Sequence, residues 1–101
     1  MELIKIYHGA TVSARELHSF FEASERFNSW FKRMCQYGLA EGKDFTSVKT
    51  FTLVNNNAKR QIDDYALTLN AAKEICMLQR SEKGREARQY FIKCEETLDL
   101  L

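Results

Sequence analysis

Ser24-Glu25-Arg26-Phe27-Asn28-Ser29-Trp30-Phe31-Lys32-Arg33-Met34-Cys35-Gln36-Tyr37-Gly38 sorts its side chains by type at helical spacing. Phe27, Trp30, Phe31, Met34 and Tyr37 recur at i, i+3, i+4 and i+7, the stripe of a helix that buries one face. Arg26, Asn28, Ser29, Lys32, Arg33 and Gln36 fall on the other side, and all carry hydrogen-bond donors. Ser24 offers an N-cap hydroxyl and Gly38 a C′ residue free to take positive φ, so a helix over 24–37 has both ends marked. Periodicity alone describes an ordinary amphipathic core helix. Its neighbours make the case for a working outer face.

Just upstream, Val12-Ser13-Ala14-Arg15-Glu16-Leu17 reads as a capping box, with Ser13 at the N-cap and Glu16 at N3. Leu17, Phe20 and Phe21 continue an apolar stripe, with Ala14 one turn behind, so a first helix is expected from Ser13 to Glu22. Only Ala23-Ser24 separates it from the quoted stretch. Two short helices so closely joined, the second polar-faced, predict a helix-turn-helix-like arrangement. At the start of the chain, Glu2 to Tyr7 has strand composition and His8-Gly9 reads as a turn.

Beyond Gly38, residues 39–44 read as a loop, and Phe45 to Val54 is rich in Thr, Val and Phe, as strands are. Asn55-Asn56-Asn57 forms a turn cluster, since Asn tolerates positive φ. Lys59-Arg60-Gln61-Ile62 opens a returning strand that ends near Asp64 to Leu67. A hairpin with a basic tip over 55–60, placed after a helix pair, has the layout of a wing. Thr68 or Asn70 caps a third helix whose apolar residues are Ala71, Ala72, Ile75, Cys76 and Leu78. Ser81 to Gly84 interrupts it, and a fourth helix runs from about Glu82 to the end. On that helix Phe91, Cys94, Leu98 and Leu101 follow Ala87 at a/d-like spacing, barely two heptads long. Packing on the chain's own core is the first use for this seam, and a homo-oligomeric contact the second.

The charges of the last helix run against its macrodipole. Arg80, Lys83, Arg85, Arg88 and Lys93 lie early, while Glu95, Glu96 and Asp99 lie late. Each misplaced charge costs up to several tenths of a kcal/mol. The basic cluster therefore answers either to something outside the helix, such as a phosphate backbone or an acidic partner, or to acids elsewhere in the fold such as Asp63 and Asp64.

At 101 residues the chain reads as a single domain over 1–101. A chain of this size buries roughly two-thirds of its unfolded surface. Fifteen Lys plus Arg against fourteen Asp plus Glu leave a net +1, which argues against strong non-specific nucleic-acid binding but leaves room for a local patch. Cys35, Cys76 and Cys94 are odd in number and far apart, the pattern of small core residues in a reducing cytoplasm. They suggest neither a disulfide framework nor a zinc site. No apolar run approaches a membrane span, and no signal peptide is visible. His8 and His18 lack nucleophile or ligand spacing, and no phosphate-binding glycine loop occurs. No metal and no cofactor is expected, and no enzyme. The helical pattern that continues to Leu101 suggests the N-terminal part of a longer protein.

Two function classes remain. Arg26, Asn28, Lys32, Arg33 and Gln36 are residue types that read base edges or hold phosphates from a helix, with Lys59 and Arg60 on the backbone and Arg85 and Arg88 beside them. A protein-binding surface would use the same helix with aromatic anchors and neighbouring arginines.

The segments Val12 to His18, Arg26 to Arg33 and Gly42-Lys43-Asp44-Phe45 resemble consecutive blocks of the phage anti-repressor domain of the AntA/AntB type. Asp64-Tyr65-Ala66-Leu67-Thr68-Leu69, Ala72-Lys73-Glu74 and Glu82 to Ile92 continue the likeness in order, so that it runs from about Thr11 to Glu96. The Arg26-Phe27-Asn28-x-Trp30 segment is also similar to phage and viral KilA-N and Bro-N domains. The resemblance implies a prophage-encoded regulator that relieves repression of lytic genes by antagonising a phage repressor protein. Related domains are regarded as DNA-binding, so operator DNA is the alternative partner. The expected fold is α+β and mainly helical, about four helices with a small antiparallel hairpin in a winged-helix-like arrangement.

Overall fold

Three helix starts fall where a hydroxyl can replace a missing backbone partner, and these fix the frame of the molecule. The computed structural model describes residues 6–7, 11–55 and 58–100, with side chains described for 11–55 and 58–97. Its elements run β1 (Ile6–Tyr7), β2 (Thr11–Ser13), α1 (Ala14–Phe21), α2 (Phe27–Gln36), β3 (Phe45–Leu53), β4 (Lys59–Thr68), α3 (Leu69–Gln79) and α4 (Glu82–Leu100). This is the expected α+β chain of four helices and a hairpin. Glu2 to Lys5, the His8-Gly9 turn and Asn56-Asn57 lie outside the described residues.

The strands form one antiparallel sheet in the order β1-β2-β4-β3, so β4 is flanked on both sides. Phe45 and Val12 both register with Leu67, and all three side chains point into the core. The hairpin strands fall within a residue of their expected bounds, with nine residues in β3 and ten in β4. Its inner end is anchored by the core. Its outer half, with Phe51 and Leu53, is exposed.

Ser13 caps α1 as its spacing predicts, accepting from the Glu16 N–H at 3.2 Å. Asp64 of β4 adds what no local pattern showed. It is only 6% exposed and accepts from Ser13 Oγ at 2.5 Å, from the Arg15 N–H at 3.1 Å and from the Tyr65 N–H at 2.7 Å. A carboxylate at a helix N-terminus meets both the unpaired N–H groups and the positive end of the dipole. The α1 helix ends at Glu22 in the left-handed region, φ 54°. Thr68 caps α3 by accepting from the Ala71 N–H at 3.0 Å, and Ser81 accepts from the Gly84 N–H at 3.1 Å at the start of α4.

The core lies between the helices and the inner half of the sheet. Trp30, Phe91, Leu17, Met34, Leu67, Ile75 and Val12 are all but fully buried, each contributing about 1.5–3 kcal/mol. Helices α3 and α4 approach closely at Gly84, where a built Cβ would stand 2.7 Å from the Cys76 carbonyl oxygen. Lys73 and Glu95 tie the same two helices at 2.6 Å. No described helix is long and apolar enough to cross a membrane.

Candidate partner-binding surface

Helix α2 is held from within by aromatic packing. Phe27, Trp30, Phe31 and Met34 are buried, as their spacing predicts. Phe31 stacks on Tyr65 of β4 with ring centroids 4.0 Å apart, and Trp30 meets Phe21 of α1 edge-on at 6.3 Å. The indole N–H of Trp30 donates to Gln79 Oε1 at 3.4 Å, linking α2 to the end of α3. Tyr37 does not join the stripe. The helix ends at Gln36, Tyr37 is its C-cap, and the side chain is 60% exposed. Gly38 follows at φ 120°, donating to the Cys35 carbonyl, in the C′ role expected of it.

The start of α2 differs from the prediction. Ser24 is not the N-cap; that position belongs to Arg26, which offers no side-chain acceptor. The reason lies in Glu25. Its carbonyl accepts from His18 Nε2–H at 2.7 Å, and its carboxylate accepts from Arg33 Nη2 and Nε at 2.8 and 3.2 Å. These contacts pull the chain through residues 22–26 before α2 can begin, a longer join than the expected two or three residues. The Glu25 carboxylate holds the Arg33 guanidinium above the ordinary arginine range. Arg33 is thus partly committed to the fold.

Arg26, Asn28, Lys32 and Gln36 are exposed. Asn28 and Lys32 border a groove of about 500 Å³ between α2 and the hairpin, whose other wall includes Ser47, Asp63 and Tyr65. Asp63 pairs there with Lys49, which lowers its carboxyl below the usual range. Lys59 and Arg60 are exposed on the outer end of β4 and border neither this groove nor the next. Arg85 and Arg88 line a separate cleft at the α3–α4 corner, together with Arg80. The predicted residues therefore occupy three places: the outer face of α2, the hairpin tip and the helical corner.

Sequence reading placed Arg80 in the basic cluster without assigning it to the site. The turn supplied the missing signal, because Arg80 is a left-handed C-cap at φ 49° and is carried back towards α4. The alternative of pairing with acids elsewhere in the fold holds for Lys83, which meets Glu22, and not through Asp63 or Asp64. Asp63 is held by Lys49 and Asp64 by the start of α1. Lys83 is paired with Glu22 at 3.1 Å. On the proposed dimer seam, Phe91 is fully buried in the chain's own core and Cys94 is half-buried. The Leu98 side chain and Leu101 lie outside the described residues.

All three cysteines are free. Burial pushes the Cys76 thiol up to about 12 and raises that of Cys35, so both stay protonated at neutral pH. Among the described residues no cluster of His, Cys, Asp and Glu is placed to hold a metal ion.

A family model described as AntA/AntB antirepressor matches residues 12–81. No curated protein and no solved structure matches the chain.

Proposed function

The chain belongs to the AntA/AntB antirepressor family, and from that premise we propose that it relieves repression of phage lytic genes by binding the phage repressor protein. Family membership over 12–81 is the observation that carries this reading. The structure of α2 supports it. Aromatics on one side anchor the helix, while Arg26, Asn28, Lys32 and Gln36 are exposed on it, Asn28 and Lys32 at the groove that Ser47 and Tyr65 also line. Such a rigid, donor-rich helix face suits recognition of another protein, in which a few anchored side chains carry most of the binding energy.

The activity is binding alone, with no substrate turned over. His18 supports this, since its Nε2–H is committed to the Glu25 carbonyl and its ring lies 5.0 Å from that of Trp30. The place of action is the cytoplasm of a bacterial host carrying the prophage. The test is a pull-down from extract of an induced lysogen, followed by reconstitution with the captured repressor. The chain should co-elute with the repressor and release it from its operator, and Lys32→Ala should weaken the complex about tenfold. Separate elution at concentrations on the order of micromolar sinks the reading.

A further inference from the structure

Arg80, Arg85 and Arg88 share a cleft of about 480 Å³ with Met77 and a single acid, Glu82. Arg80 is brought there by its left-handed turn, and Arg85 and Arg88 lie three residues apart on one face of α4. Among the described residues none of these guanidinium groups has a hydrogen bond or an ion pair. The Nε of Arg88 is moreover buried with no acceptor. A buried donor left unmatched is costly. Four acids of the fold are engaged elsewhere, Glu22 with Lys83, Asp63 with Lys49, Glu95 with Lys73, and Asp64 at the start of α1, and Glu82, the one acid in the cleft, forms no ion pair with these arginines. Beside the arginines Met77 is 58% exposed, an apolar ledge next to concentrated positive charge.

We propose that this corner docks an acidic segment of the partner protein, with a carboxylate accepting from Arg85 and Arg88 and an adjoining apolar side chain covering Met77. The inference rests on the antirepressor reading and names the chemistry of the surface that the repressor presents. Arginine forks match carboxylates in paired geometry, and Met adapts to varied apolar partners. The mixed character of the cleft decides for a protein over a nucleic-acid backbone. A phosphodiester run has no apolar group to lay on Met77, whereas a peptide can alternate carboxylates with apolar side chains and so satisfy both halves of the cleft.

The test uses the isotope-labelled full chain. It is titrated separately with a blocked peptide of alternating Glu and Leu, a counterpart that keeps each Leu but has Gln for every Glu, inorganic phosphate and a duplex oligonucleotide. The Glu–Leu peptide should shift the Nε–H signals of Arg85 and Arg88 and the methyl signal of Met77, and the Gln peptide should not. Arg85→Gln and Arg80→Gln, both at exposed positions, should keep the backbone spectrum and weaken the peptide about tenfold. Shifts with phosphate or duplex but not with the peptide make the corner a phosphate site and overturn the proposal, as does a null response to all probes. In the repressor pull-down, full capture by Arg85→Gln and Arg80→Gln refutes the docking site while leaving the antirepressor reading intact. Failure of the parent chain to capture any repressor sinks that reading, and the peptide titration still decides the corner.

Discussion

Asp64 is the residue that most separates what the sequence discloses from what the fold requires. Its two oxygens serve the Ser13 hydroxyl and the N–H groups of Arg15 and Tyr65, so removing them strands three donors. A stranded donor costs about 1–3 kcal/mol when fully buried and less where water can reach it, and these three are half-buried, so Asp64→Ala should lose about 2–3 kcal/mol. Asp64→Asn keeps one acceptor and should lose less. Urea midpoints of the two variants check the order, and equal losses would show that charge at the helix start outweighs the individual bonds. Caps such as Ser13 and Thr68 are legible in sequence because donor and acceptor lie three residues apart. Asp64 is 51 residues from Ser13, and nothing local marks it. Glu25 misled for a related reason. Its partners His18 and Arg33 are seven and eight residues away, and together they move the start of α2 off Ser24.

Among the elements, the four helices and the hairpin were legible because each has its own period and punctuation, and most of the α2 stripe was too. The sheet order was not, since β2 meets β4 only through the distant register of Thr11 with Thr68. Nor was the role of Gly84, which reads in sequence as an interruption. In the structure it lies inside α4, where the helix crosses α3 against the Cys76 carbonyl. Two effects of Gly84→Ala oppose each other. Ala favours an isolated helix by about 1 kcal/mol over Gly. A Cβ 2.7 Å from a backbone oxygen must instead push α3 and α4 apart, and overpacking of this kind costs about 1–3 kcal/mol. The contact involves backbone, which cannot swing away, so the steric cost wins and Gly84→Ala should unfold at lower denaturant. A rise in the midpoint would mean that the helices have room to separate. The same crossing sets the cleft of Arg80, Arg85 and Arg88, so the variant should also weaken the acidic peptide.

Taken whole, the molecule keeps its positive groups in separate places on a nearly neutral body, and this decides which partner it can hold without help. The polar types of the candidate residues are legible in sequence, but their grouping is not. Asn28 and Lys32 share a groove, Lys59 and Arg60 lie apart at the tip, and Arg85 and Arg88 join Arg80 at a corner. Arg33, anticipated as free, is bound to Glu25. A chain that gripped duplex DNA with Arg26, Lys32, Lys59 and Arg60 would release counterions at each phosphate. Its log affinity would then fall with log salt by about 0.9 per contact, a slope of roughly −3.6 for the four together. Such binding gains from a continuous field, and fifteen basic against fourteen acidic residues provide none. Fluorescence anisotropy with operator duplex across a salt series should therefore show no slope of that size. Capture of the repressor, in which apolar burial supplements a few charge pairs, should survive moderate salt because contacts shielded from solvent are screened less. A steep salt slope on DNA, relieved by about one for each of Lys32→Ala and Arg60→Ala, would reassign α2 and the hairpin tip to the phosphate backbone.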